Sequence, residues 1–157
     1  MWQRKQTVFL ALAALLALAT WVFPVATYER AQDRFIFRTD GLFDAGGTVV
    51  EEVGLKVPFH VVLTVIGVAL LGCILLYRNR PRQTRFVRGT YLLTLVVIAF
   101  FFITDNSIQT YLEPGGAVVS HYGASFFFPL GTLVLTFLAE RAIRADEELV
   151  RSADRLR

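Results

Sequence analysis

The fold of this chain is decided by residues 57–77, which read VPFHVVLTVIGVALLGCILLY. Only His60, Thr64 and Tyr77 are polar in this stretch, and none of its side chains is charged. A bilayer core about 30 Å thick requires roughly 20 helical residues to cross it. Because backbone N–H and C=O groups in lipid must be paired within the segment, the stretch predicts a transmembrane helix.

Three further apolar stretches accompany it, at residues 8–25, 89–108 and 124–141. Apolar residues make up 55% of the chain and charged residues 18%, which argues against a soluble domain. Four such stretches in 157 residues leave too little polar surface to cover them in water. The sequence therefore predicts one all-α membrane domain, residues 1–157, with four transmembrane helices. We expect the first helix to be retained, because its apolar run continues past a signal-peptide-like site at residues 17–19.

The basic residues are distributed unevenly between the segments that join the spans. Of 16 lysines and arginines, 12 lie in the N-terminal segment, the link between spans two and three, and the C-terminal tail. The positive-inside rule then places both termini in the cytoplasm. Topology and anionic headgroups explain the arginines of the link, so we expect no nucleic-acid partner. These arginines are Arg78, Arg80, Arg82, Arg85 and Arg88.

The two outer loops contain patterns typical of short strands. Residues 34–38 have strand character, and Asp40-Gly41 is a turn signal. Residues 108–112 and 117–119 flank a Pro-Gly-Gly turn, unless span three simply remains helical through Tyr111. A two-stranded hairpin is marginally stable alone, so pairing between the loops is expected. The sequence predicts a small β-element in the outer loops.

Four polar residues are the candidates for a functional site. Asp105 and Asn106 lie at the end of span three, where an ionisable side chain is a functional hypothesis by default, although Asp105 could equally mark the end of the span. His60 and His121 could bind a metal or haem, but no third histidine exists and Cys73 is the single cysteine. We therefore expect no cofactor, no metal and no catalytic residue, and predict that the protein is not an enzyme.

The tail at residues 142–157 predicts an amphipathic cytoplasmic helix that continues span four. Its apolar stripe ends in Leu149, Val150 and Leu156, while acids and arginines balance over residues 140–157. Balanced charge beside an apolar stripe favours docking on a protein surface, either the arginine link of the same chain or a partner. The alternative is a solvated helical extension without a partner.

Short segments along the whole chain carry a resemblance to a known family, and the tail is the most specific of them. Residues 1–7 (MWQRKQT), 76–80 (LYRNR), Pro129 and above all the tail 141–157 (RAIRADEELVRSADRLR) are similar to the family called domain of unknown function 4293. The resemblance implies a multi-pass, four-helix protein of the bacterial inner (cytoplasmic) membrane, from the Bacteroidota lineage. No established activity, cofactor or catalytic residue comes with it.

The leading functional hypothesis is a non-enzymatic accessory or assembly subunit in the lipid bilayer, acting through contacts with a membrane-protein partner or with further copies of itself. One alternative is a small-molecule binder or transporter that uses Asp105 and the outer loops. Another is a redox or haem anchor that uses His60 and His121.

The 12-to-4 division of basic residues makes a testable prediction about topology. A reporter that works only outside the cytoplasm should be active when it is fused at Asp44 or Gly115. A reporter that works only in the cytoplasm should be active when it is fused at Gln83. Alkaline phosphatase and green fluorescent protein fusions would measure this. Phosphatase activity at Gln83 would disprove the orientation.

Overall fold

A computed structural model describes residues 5–31, 33–50 and 57–154 of the chain. These residues form four α-helices and one four-stranded antiparallel sheet. The helices are α1 (Lys5–Ala19), α2 (Phe59–Leu75), α3 (Arg80–Leu112) and α4 (Ala124–Asp154). The strands are β1 (Ala26–Arg30), β2 (Asp33–Arg38), β3 (Gly41–Phe43) and β4 (Val118–Tyr122). Short 3₁₀ turns at Leu76–Arg78 and Glu113–Gly115 precede and follow α3.

The sheet joins both halves of the chain at one end of the helices, here called the sheet end. Strands β1 to β3 connect α1 to α2, and β4 connects α3 to α4. The strand order is β3-β2-β1-β4, so β1 pairs with β2 on one side and with β4 on the other. The predicted small β-element is confirmed, and the two loops pair with each other. Strand β1, one of the two inner strands, was not predicted from the sequence, and residues 108–112 are helical rather than extended.

The four helices pack as a closed bundle in which α1 contacts α2 and α4, and α3 contacts α2 and α4. The opposite end of the bundle, which begins α3 at Arg80, is called the arginine end. Small residues allow close approach: α1 buries Ala13 and Ala17, and Gly67 of α2 faces the Leu18 side chain. Small residues at helix interfaces are typical of packing in membranes, where backbone proximity maximises van der Waals contact.

Hydroxyl groups inside the bundle are paired with backbone carbonyls. Thr94 donates to Thr90 O at 2.7 Å, and Thr136 donates to Thr132 O at 2.6 Å. Thr132 also reaches across to Ala13 O of α1 at 3.3 Å. Because each donor finds an acceptor, these polar groups can be buried without the cost of an unmade hydrogen bond.

An aromatic cluster fills the space between the sheet and the bundle. Phe37 of β2 lies 6.3 Å, centroid to centroid, from both Phe59 of α2 and Phe101 of α3. Phe59 and Phe101 are 4.5 Å apart. Phe37 and Phe59 are fully buried and Phe101 almost so. Aromatic pairs at these distances contribute about 0.5–1.5 kcal/mol beyond their burial, so the cluster holds the sheet on the helices.

The prediction of four membrane spans is confirmed only in part, because only some of the described helices have the length and composition of a span. Two helical segments of the described chain, Arg80–Gly115 and Ala124–Leu149, are long and apolar enough to cross a membrane. The helices Lys5–Ala19 and Phe59–Leu75 are apolar but have only 15 and 17 residues. The predicted stretch 8–25 overestimated the first helix, because residues beyond Ala19 turn toward β1.

Helix α3 begins before the predicted stretch 89–108, at Arg80. Asn79 caps it by accepting a hydrogen bond from the Arg82 N–H, and Pro81 occupies its first turn, where proline is tolerated. Arginine is a good helix former, so charge marks the end of the apolar stretch and not the end of the helix. Helix α4 likewise runs on from the apolar stretch 124–141 without interruption.

Gly67 and Gly72, both on α2, provide a matched test of close packing. A Cβ at Gly67 would lie 2.9 Å from Leu18 Cγ, whereas a Cβ at Gly72 would meet nothing within 4 Å. We expect Gly67→Ala to destabilise the bundle by about 1–3 kcal/mol through overpacking, and Gly72→Ala to be neutral or slightly stabilising. Thermal unfolding in mild detergent measures both, and equal midpoints would contradict the α1–α2 contact.

Candidate functional site

Asp105 is a buried carboxylate at the sheet end of α3. Only 6% of its surface is exposed, although it lies about two turns before the helix ends at Leu112. Strands β1 and β4 cover it. A buried charge is costly unless it is well hydrogen-bonded or paired, so the contacts of Asp105 decide what this site can do.

Three neutral donors surround the Asp105 carboxylate. The Tyr28 hydroxyl of β1 donates to Oδ1 at 2.5 Å, and the Tyr122 hydroxyl of β4 donates to Oδ2 at 3.0 Å. The Gln109 side-chain amide, one turn along α3, donates to Oδ2 at 2.8 Å. In the described part of the chain, no lysine or arginine forms an ion pair with Asp105. The carboxylate therefore depends on hydroxyl and amide donors alone.

Both tyrosines act as hydrogen-bond donors to Asp105. Burial, the hydrogen bond to Asp105 and its nearby charge raise the pKa of Tyr28 far above the ordinary value of 10.0. Desolvation and the hydrogen bond to Asp105 also raise the pKa of Tyr122. Both shifts favour the protonated hydroxyl, which is the form that donates a hydrogen bond to the Asp105 carboxylate.

Arg30 makes a second connection between β1 and α3. Its Nη1 donates to Leu112 O at 3.5 Å, and its guanidinium also pairs with Asp33 at 3.2 Å. A cation at a helix C-terminus interacts favourably with the helix dipole. The backbone of Gly115 passes so close to Arg30 that a Cβ there would overlap the guanidinium. Strand β1 is thus attached to α3 at both Asp105 and the helix end.

The other predicted site residues do not gather around Asp105. The Asn106 side chain is on the exposed side of α3. The His60 ring packs edge-on against Trp21 at 5.6 Å, with Nδ1 3.4 Å from Thr39 O in the β2–β3 turn. His121 is exposed on β4, the strand at the opposite edge of the sheet. The structure therefore does not bring the two histidines together, and the described residues include no group of three or more His, Cys, Asp or Glu side chains arranged to hold a metal ion.

Only part of the predicted tail helix lies within the described residues. Leu149 lies near the end of α4 and is 69% exposed. The Val150 side chain and the whole of Leu156 are outside the described part of the chain. One turn earlier, Arg80 of the arginine link donates to Asp146 O at 2.8 Å. Asp146 near the end of α4 thus lies beside the start of α3, while the Leu149 side chain is largely exposed.

Sequence reasoning identified Asp105 but missed its partners. Gln109 was detectable, since it is four residues from Asp105 and therefore on the same helix face. Tyr28 and Tyr122 gave no such signal, because only the pairing of β1 with β4 brings them to one carboxylate. The resulting arrangement is a structural clamp, here called the Asp105 clamp, formed by Asp105, Tyr28, Tyr122 and Gln109.

The two tyrosines of the Asp105 clamp should differ in their contribution to stability. Tyr28 is fully buried, whereas Tyr122 is 46% exposed and water can replace its hydrogen bond. We expect Tyr28→Phe to cost about 1.5–3 kcal/mol, as for a buried hydrogen bond to a charged group, and Tyr122→Phe to cost less. Chemical unfolding in detergent gives both values. A larger loss for Tyr122→Phe would refute this assignment of the clamp.

Comparison with known proteins identifies a family. No protein among the curated sequences matches this chain. The family model described as "Domain of unknown function (DUF4293)" matches residues 2–156. Since that match covers nearly the whole sequence, the chain belongs to the DUF4293 family.

Proposed function

We propose that the protein crosses the bacterial inner membrane four times and serves as a non-enzymatic accessory or assembly subunit. The proposed orientation puts the sheet end outside and the arginine end in the cytoplasm. Support begins with the surface of the bundle, which is apolar on the outward faces of all four helices. On α2 these outward residues follow helical spacing: Val61, Val65, Val68, Leu71 and Leu75.

The long helices have too little burial for the core of a soluble protein. In both α3 and α4, only 28% of the most apolar 18-residue window is buried in the bundle. Continuous apolar surface of this extent would aggregate in water, whereas lipid tails solvate it. Meanwhile the buried side includes threonines, glutamine and aspartate. An apolar exterior around a partly polar interior suits a bilayer.

The short helices are proposed to cross because they pack along the long ones. Helix α1 contacts α4 and α2, and α2 contacts α3. With 15 and 17 residues, α1 and α2 span about 22 and 26 Å at 1.5 Å per residue. Local thinning of the bilayer and the apolar turn Trp21-Val22-Phe23 after α1 compensate for the missing length.

The observation that carries the functional proposal is an open strand edge on a firmly held sheet. Strand β4 is the last in the order β3-β2-β1-β4, and within the described residues no strand lies beyond it. The Asp105 clamp fixes β4 through Tyr122. Strand β4 also lacks lysine and proline, which commonly protect edges from unwanted pairing. Such an edge suits an extended segment of a partner protein, added as a fifth strand.

The hydrogen-bonding direction along β4 follows from its register with β1. The β1–β2 hairpin closes at the pair Arg30 and Asp33, whose backbone groups are hydrogen-bonded to each other. Because hydrogen-bonded pairs alternate along an antiparallel ladder, the even-numbered residues of β1 bond to β2 and the odd-numbered residues bond to β4. Thr27 pairs with His121. Hence Val118, Ser120 and Tyr122 direct their backbone N–H and C=O groups toward the open edge.

The alternative functions have weaker support. To bind Asp105, a small molecule must displace one of the three side chains that already donate hydrogen bonds to its carboxylate. A haem anchor needs His60 and His121 on one cofactor, yet they belong to different parts of the sheet end. Exposed Leu149 at the end of α4 offers the proposed subunit a second contact, on the cytoplasmic side.

A proline at Ser120 tests the open edge with a matched control. Ser120→Pro removes an outward N–H, whereas Ser120→Ala keeps it, and edge strands tolerate proline. With a photo-crosslinking amino acid at His121, we expect a discrete protein adduct in membranes that Ser120→Ala retains and Ser120→Pro abolishes. An adduct of twice the chain mass would identify a second copy as the partner. Adducts insensitive to Ser120→Pro would exclude strand addition.

A further inference from the structure

A groove between α3 and α4 at the arginine end combines charged and apolar side chains. Its volume is about 370 Å³. The residues that matter for its chemistry are Arg88 and Leu92 of α3 and Phe137, Glu140, Arg141 and Arg144 of α4. This set is here called the α3–α4 groove. It lies at the far end of the bundle from the Asp105 clamp and forms no part of the strand-edge proposal.

Glu140 holds two of the arginines in place. Its Oε1 accepts from Arg88 Nε at 3.2 Å and Nη2 at 2.9 Å, and from Arg144 Nη2 at 2.6 Å. One carboxylate cannot neutralise two guanidinium groups. In the described residues, Arg141 forms no ion pair at all. The groove therefore has an excess of positive charge and several guanidinium N–H groups available to an anion.

The charge extends into an adjoining groove of about 420 Å³ that shares Arg88 and Leu92. This second groove adds Arg85, which has no acidic partner among the described residues, together with Glu147. Planar guanidinium groups bind phosphate oxygens through paired hydrogen bonds. Arg88 lines both grooves, Arg141 lines the first and Arg85 the second, so the three guanidinium groups lie along adjoining surfaces suited to a phosphate.

Apolar side chains continue directly from the arginines along the outside of the bundle. Leu92 is 54% exposed and Phe137 is 51% exposed, and both line the α3–α4 groove. Moving from Arg141 toward these residues, the surface changes from cationic to apolar. A phospholipid has the same order of polarity, from its phosphate headgroup to its acyl chains.

We propose that the α3–α4 groove binds one anionic phospholipid of the inner leaflet. Its phosphate contacts Arg88 and Arg141, Arg85 of the adjoining groove adds positive charge nearby, and an acyl chain runs over Leu92 and Phe137. Basic pockets between transmembrane helices on the cytoplasmic side are known to hold anionic headgroups. This inference rests on the proposed membrane placement, but it is independent of the strand-edge docking at β4.

The test uses the full chain in a neutral detergent and native mass spectrometry of lipid adducts. Phosphatidylglycerol is titrated against phosphatidylcholine with identical acyl chains, and inorganic phosphate is added in excess as a competitor. Phosphatidylglycerol should bind more tightly, and excess phosphate should leave it bound. Arg141→Gln should weaken phosphatidylglycerol binding about fivefold, the effect expected for one basic residue near an anionic headgroup.

Arg34→Gln is the matched control, since Arg34 is an exposed arginine of β2 at the sheet end. It should leave lipid binding unchanged. Equal affinity for both lipids, or equal loss in the Arg34 and Arg141 variants, would overturn the site. Displacement of the lipid by inorganic phosphate would assign the groove to a free anion instead. Release of the native protein from membranes by alkaline carbonate would refute the membrane placement separately, whatever the lipid result.

Discussion

The need to satisfy one carboxylate governs the architecture of the sheet end. Asp105 is buried in α3, and leaving such a group without partners costs about 1–3 kcal/mol or more. Its donors Tyr28 and Tyr122 come from loops in opposite halves of the chain. They reach the same side chain only because β1 and β4 are neighbours. The carboxylate, the strand order and the attachment of the sheet to α3 are therefore one linked arrangement.

This arrangement gives the protein a fixed surface beyond the ends of its helices. The Asp105 clamp, the Arg30 contact with Leu112 and the Phe37 cluster hold the sheet on the helices at three points. Ordering the sheet in advance lowers the entropy lost when another chain binds. A rigid sheet with an open edge supports the proposed docking of a partner strand at β4.

The two ends of the bundle differ in their chemistry. At the sheet end, neutral hydroxyl and amide groups surround Asp105, and the charged side chains lie mainly on the exposed strand faces. At the arginine end, guanidinium groups outnumber carboxylates, and Glu140 organises them without neutralising them. Between the ends, hydroxyl groups inside the bundle bond to its own backbone while leucine, valine and phenylalanine face outward. This distribution is the one expected when the solvent is lipid around the middle and water at both ends.

The sequence by itself determined the helices, the uneven charge and the presence of strands in the loops. Those features depend on local composition: runs such as 57–77 have few alternatives to a helix, and residues 34–38 favour an extended backbone. It also marked Asp105, because an acid next to an apolar run is conspicuous. The helix boundaries predicted from the sequence were misplaced, because the arginines at the start of α3 lie outside the apolar stretch but inside the helix. Only the tertiary structure decided that α1 and α2 are short, that β1 lies between β2 and β4, and that Tyr28 and Tyr122 join Gln109 around Asp105. Strands β1 and β4 are separated in the chain by α2 and α3, so their pairing leaves no periodic pattern in either strand and arises only when the whole chain packs together.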